Sequence, residues 1–174
     1  NSTTQEVSLV SDINPGVEGS GPEAFAIYNN ELYFRAFQPS LGYDLYSYNP
    51  TDGSVTQRTD VSANLDPRYL TVYKNKLFFG GQFSNATNNE LLYYDAATDE
   101  LVLTEDLSPS ASNPRDLVVF NDKLYFGTNT EDYGRELWEY NDTSLSIVAD
   151  IYSGVVGSDP TGLTTFNDKL YFAA

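Results

Sequence analysis

Short apolar runs separated by polar turns fill the chain from end to end. One stretch illustrates the pattern: "DLVVF" at 116–120, "KLYF" at 123–126, "ELWEY" at 136–140 and "LSIVADI" at 145–151, with polar residues between. Runs of this length rich in β-branched and aromatic residues predict strands. The pair Asn121-Asp122 between the first two is a two-residue turn that tolerates positive φ, so 116–126 is a predicted hairpin. No 12-residue segment has helical amphipathic spacing. Four antiparallel strands in about 46 residues make one small twisted sheet.

The pattern is iterated. "FNDKLYF" occurs at 120–126 and again at 166–172, with relaxed forms "YNNELYF" at 28–34 and "YKNKLFF" at 73–79. Aligned on the leucine, Leu32, Leu77, Leu124 and Leu170 are 45, 47 and 46 residues apart, and Pro22, Pro67, Pro114 and Pro160 keep the same three intervals. An acidic residue followed by Leu-x-x-Tyr recurs from Asp44, Glu90 and Glu136 at intervals of 46 and 46. Three independent markers holding one period identify a repeat.

Runs such as "YLTVY" and "KLFFG" are apolar on both strand faces, which does not suit a sheet with one wet side. Each sheet is therefore expected to be covered on both faces by its neighbours, as in an all-β, β-propeller-type array of four-stranded antiparallel blades. The aromatics Tyr33, Phe78, Tyr125, Tyr171, Trp138, Tyr48, Tyr94 and Tyr140 are then blade-packing residues. The expected organisation is a fourth strand and connector over 1–22, blades at 23–67, 68–114 and 115–160, and two strands of a further blade at 161–174. Residues 5–13, "QEVSLVSDI", are the expected fourth strand of that split blade. A strand at 169–174 without a third strand beside it is an open edge, so pairing with further repeats or with other copies of the chain is expected.

"ELW" at 136–138, "SDINPG" at 11–16, the Gly-Ser-x-Pro at 19–22 and "FNDKLYF" resemble the ELWxxDGT, or hyalin-like, repeats of large secreted and surface proteins. The copy containing "KLFFGGQ", "ELLYYDAATDEL" and "NPR" is similar to a kelch repeat. The resemblance covers nearly the whole chain, with one tryptophan and one double glycine where each copy of those families would carry its own. It implies a β-propeller with roles in adhesion or extracellular assembly.

Charge and composition narrow the chemistry. Nine basic against 25 acidic residues give a net charge of −16, which repels nucleic acid and anionic lipid and favours cationic partners. The chain has no His and no Cys, which removes Ser/His/Asp and Cys/His centres and thiolate metal sites built from it. Paired carboxylates could serve a glycosidase. Here the acids follow the repeat, however, whereas an active site needs unlike residues converging once. No phosphate-cradling glycine loop is present either, and the chain is expected not to be an enzyme. No apolar run is long enough for a helical membrane span. The lack of Met marks a processed product or an internal fragment.

Three sets of residues carry the remaining chemistry. Asp12, Asp60, Asp106 and Asp150 follow the fourth strands and offer hard oxygen ligands suited to Ca²⁺, the one cofactor candidate. The same aspartates can instead accept backbone N–H bonds in the turns. Asn1, Asn85 and Asn141 stand in Asn-x-Ser/Thr glycosylation sequons. Tyr43 and Tyr133, between second and third strands, are candidates for stacking on extracellular glycans. The expectation is an extracellular or cell-surface structural and adhesive repeat protein that assembles through propeller surfaces, filaments included. Its alternative is a carbohydrate-binding propeller module.

Overall fold

The computed structural model describes residues 7–59, 64–83, 88–108 and 110–174. It contains four antiparallel sheets and, among the described residues, no helix. The first is β1 (Glu23–Tyr28), β2 (Glu31–Gln38), β3 (Gly42–Tyr48) and β4 (Val55–Gln57), and the second is β5 (Arg68–Tyr73), β6 (Lys76–Gln82), β7 (Asn89–Asp95) and β8 (Glu100–Leu103). The third comprises β9 (Arg115–Phe120), β10 (Lys123–Thr130), β11 (Gly134–Tyr140) and β12 (Leu145–Ala149). Two strands, β13 (Thr161–Phe166) and β14 (Lys169–Ala173), make the fourth. Every sheet is a meander in chain order.

Each β1–β2-type hairpin closes through a two-residue turn with both residues at positive φ: Asn29-Asn30, Lys74-Asn75, Asn121-Asp122 and Asn167-Asp168. That conformation matches the right-handed twist of the flanking strands and favours Asn and Asp. Lys74 is the unusual occupant. Its ammonium is held 2.5 Å from the Asp122 carboxylate in the next sheet's turn. All four first strands also carry a register shift near their start, where Ala24, Tyr69, Asp116 and Gly162 take positive φ.

The first strands of successive sheets lie side by side, β1 by β5, β5 by β9 and β9 by β13. The sheets therefore stack face against face. Tyr33, Leu45 and Tyr28 of the first sheet pack on Leu77, Phe79, Leu92 and Tyr94 of the second. The opposite face of the second sheet sends Tyr73, Phe78 and Leu91 against Leu124, Phe126 and Tyr140 of the third. Adjacent residues Phe78 and Phe79 thus fill two different cores, because neighbouring side chains on a strand point to opposite faces. This two-sided burial is why "KLFF" is unbroken by polar residues. Burial also pushes the Tyr33 hydroxyl up to about 12.

The position of a residue within the series decides its burial. Leu77 and Leu124 are fully buried, whereas their counterparts Leu32 and Leu170 are only half-buried. One expected strand is not formed over its described part: 7–13 pairs with no strand and is not itself one. The segment has no third strand beside it to supply a ladder of hydrogen bonds.

Candidate functional site

The polar chemistry of the molecule concentrates where the linker between two sheets crosses the connection from second to third strand. The two residues before Pro67 and before Pro114 are stitched to both neighbours, and those before Pro22 and Pro160 to one each. Ser20, Leu65 and Ser112 accept at their carbonyl oxygens from Phe37, Gln82 and Asn129 N–H of the following sheet's second strand, at 2.7–2.8 Å. The N–H groups of Asp66, Asn113 and Asp159 donate to the carbonyl oxygens of Tyr43, Asn89 and Arg135 on the preceding sheet's third strand, at 2.8–3.0 Å.

A buried acid fixes each linker from beneath. Glu136 Oε1 accepts from the N–H groups of Tyr152 (3.1 Å) and Ser158 (2.9 Å), and its Oε2 accepts from Ser158 Oγ (2.6 Å). Glu90 accepts from Ser112 N–H (3.2 Å) and Ser112 Oγ (2.5 Å). Burial pushes the Glu90 carboxyl above its ordinary value, with the Ser112 bonds opposing the shift. In the first sheet the acid is the shorter Asp44 and the linker position holds Leu65 in place of serine. Asp44 accordingly turns to Gln57 Nε2 (2.7 Å) and the Thr59 hydroxyl. The acidic-Leu-x-x-Tyr marker picks out these acids, but their partners lie 13–22 residues away and have no local signature.

Around these linkers stand four of the five arginines. Arg35 is buried, donates from Nε to Asp66 Oδ1 (2.6 Å), ion-pairs with Glu23 and lies 3.4 Å over the Tyr43 ring. Arg68 pairs with Asp66 at 2.8 Å. Arg135 donates to the carbonyl oxygens of Asn113 (2.8 Å) and Gly127 (3.2 Å) and lies 3.3 Å from Asp159. Its own burial and then the neighbouring Arg115 hold its pKa below the usual arginine range. Between the second and third sheets a cavity of about 80 Å³ is lined by Arg68, Tyr69, Asn89, Asn113 and Arg115. Between the first and second, one of about 380 Å³ shares Arg68 and Tyr69 and adds Arg35 and Glu23. The "DPR" and "NPR" tripeptides are the sequence signal for Arg68 and Arg115, and sequence reasoning assigned them no role.

The residues singled out from sequence are not brought together. Asp12, Asp106 and Asp150 are exposed and belong to different repeats, and among the described residues no three acidic side chains group as metal ligands. Asp106 Oδ1 instead accepts from Ser108 N–H at 3.2 Å, a turn-capping role. Asp60, Asn1 and Asn85 lie outside the described residues. Asn141 is exposed, and its side-chain oxygen accepts from Thr143 and Ser144 in its own turn. Tyr43 is engaged by Arg35 and packs on Phe37, while Tyr133 is 37% exposed at the tip between β10 and β11.

No protein-family model and no curated protein matches the chain. Solved structures do. A puromycin hydrolase mutant complexed with PGG is similar over 87% of this chain, with a TM-score of 0.57 and 12% identity. Puromycin hydrolase itself is similar over the same 87%, with a TM-score of 0.54 and 13% identity. The likeness covers 24% of the length of each of those chains and is one of fold. It corrects the expectation that this chain is not an enzyme, since its architecture is one that a hydrolase uses. The lack of His and Cys excludes only centres built wholly from these residues, and a sheet array can serve an enzyme without carrying its nucleophile.

Proposed function

We propose that the chain is a run of β-propeller blades of the hyalin-like and kelch-like repeat type, working by presenting its surfaces for assembly at or outside the cell surface. The observation that carries this reading is the pair of apolar faces at the two ends of the stack. On the first sheet Phe25 is 57% exposed against Phe34, and a cavity of about 350 Å³ is lined by Leu9, Val10, Ile13, Phe25 and Phe34. On the last sheet Phe166 is 63% exposed against Tyr171. The internal junctions bury the counterparts of Phe34 (Phe79 and Phe126), of Phe166 (Tyr28 and Tyr73) and of Tyr171 (Tyr33 and Phe78), so the occupant that fits each end face is another sheet of this pattern. The two faces differ from each other, which favours head-to-tail addition.

Sedimentation across a concentration series tests this. The expected result is growth with concentration, reduced by Phe25→Asp or by Phe166→Asp. A monomer at every concentration whose sedimentation neither substitution changes would overturn the reading.

The likeness to puromycin hydrolase supports a second reading, in which the same blades are part of a hydrolase. Release of amine product from puromycin by the purified protein is the matching assay. Turnover would favour the second reading over the first.

A further inference from the structure

We propose that the cavity between the second and third sheets is a carboxylate-binding site that takes the free C-terminus of a peptide. In a protein of net charge −16, Arg68, Arg115 and Arg135 stand about one linker; Asp66 and Asp159 neutralise Arg68 and Arg135, which leaves Arg115 as the cation there that pairs with no acid among the described residues. Arg115 is exposed at the cavity wall, and its side chain makes no hydrogen bond or ion pair with any described residue. Its free guanidinium presents the planar fork that matches a carboxylate. Arg135 is anchored behind it through the Asn113 carbonyl and supplies a second, fixed positive charge.

Two further observations point to the peptide. Asn89 lines the cavity, and its Nδ2 donates to Asn113 Oδ1 at 3.1 Å while Asn113 Nδ2 donates to the Ala111 carbonyl at 3.1 Å. That chain of bonds fixes both amides and leaves Asn89 Oδ1 buried without a donor. A ligand that carries an N–H one carbon from its carboxylate, as a C-terminal residue does, supplies that donor. Tyr69, 40% exposed, stands on the wall shared by the small and large cavities with φ of 60°. That conformation is shared by Ala24, Asp116 and Gly162 and belongs to the repeat; what is particular to this junction is an exposed aromatic ring where the other first strands carry Ala, Asp and Gly. A volume of about 80 Å³ holds a carboxylate and its α-carbon, with the preceding residue continuing past Tyr69 toward the larger cavity.

Calorimetric titration of the chain with N-acetyl-dialanine, its C-terminal amide and sodium acetate tests the assignment. The acid should bind about ten- to a hundredfold more tightly than the amide, because hydrogen bonds to a charged group are lost. It should also bind more tightly than acetate, which lacks the N–H. Arg115→Gln should remove binding while leaving thermal unfolding unchanged, and Arg115→Lys should restore only part of it. Equal binding of acid and amide, or full binding by Arg115→Gln, would overturn the site. Acetate binding as tightly as the peptide would overturn the peptide assignment.

Discussion

The Tyr73 hydroxyl, at the end of β5, donates to the Asp122 carbonyl oxygen 2.8 Å away in the next sheet's turn. Tyr28 makes the equivalent bond to the Asn75 carbonyl at 2.9 Å, and its oxygen also accepts from Ala96 N–H at 3.1 Å. Tyr73→Phe should cost about 1 kcal/mol, the net worth of one hydrogen bond. Tyr28→Phe should cost more, since it also strands a backbone donor. At the third junction the corresponding residue is Phe120, which faces Asp168 across a cavity between the turns. Phe120→Tyr should therefore be neutral or stabilising. Urea unfolding of the three variants ranks them, and a large loss from Phe120→Tyr would show that the third junction is built differently.

The same repeat position should give different costs in different sheets. Leu124 is fully buried between the second and third sheets, whereas Leu170 is half-buried on the last. Leu124→Ala should lose about 2–5 kcal/mol, as large-to-small changes in packed cores do. Leu170→Ala should lose distinctly less in the isolated chain. Similar losses at both sites would mean that the last sheet is covered in solution.

That contrast marks how far the sequence was legible. The spacing of Leu32, Leu77, Leu124 and Leu170 was sufficient to place four second strands in register, since turn pairs such as Asn121-Asp122 carry their conformational preference locally. Burial depends on which sheet lies alongside, and identical letters at 120–126 and 166–172 do not encode it. The linker chemistry was hidden for a related reason. Glu136 is visible as a repeated acid, but its role comes from Ser158, 22 residues on, and only folding joins them. Of the two roles open to the aspartates after the fourth strands, Asp106 takes turn capping through Ser108 N–H, and Asp12, Asp106 and Asp150 stand in separate repeats.

Glycine at two linker crossings should be sensitive to a single methyl group. A Cβ at Gly127 would sit 2.8 Å from the Pro160 carbonyl oxygen, and one at Gly80 would sit 2.8 Å from that of Pro114. Neither glycine has positive φ, so alanine there is opposed by space alone. Arg35 occupies the matching position in the first sheet, where the junction cavity is about 380 Å³ against about 80 Å³ beside Gly80. Gly127→Ala and Gly80→Ala should each cost about 1–3 kcal/mol through overpacking. Arg35→Gly should not be rescued by closure of its wider junction, because Glu23 would lose its cation and Asp66 one of its two. Thermal unfolding checks all three, and unchanged stability of both alanine variants would show that the linkers yield freely.

Glu90 should make stability depend on pH in a direction opposite to that of a salt-bridged acid. Loss of water around its carboxyl raises the folded-state pKa above the ordinary value of 4.5, so the folded chain holds this proton more tightly than the unfolded chain does. The favourable contribution is complete below the unfolded value and is lost as pH rises through the raised folded value. Glu90→Gln keeps an acceptor for Ser112 N–H and a donor for Ser112 Oγ but cannot ionise. The variant should therefore gain stability relative to the parent as pH rises from about 4 toward neutrality. Below that range the two should run parallel. Taking the difference between parent and variant removes the titration of the other carboxylates, which both proteins share. Urea unfolding at a series of pH values measures it, and a difference that stays constant across the whole range would show that the Ser112 bonds offset burial completely.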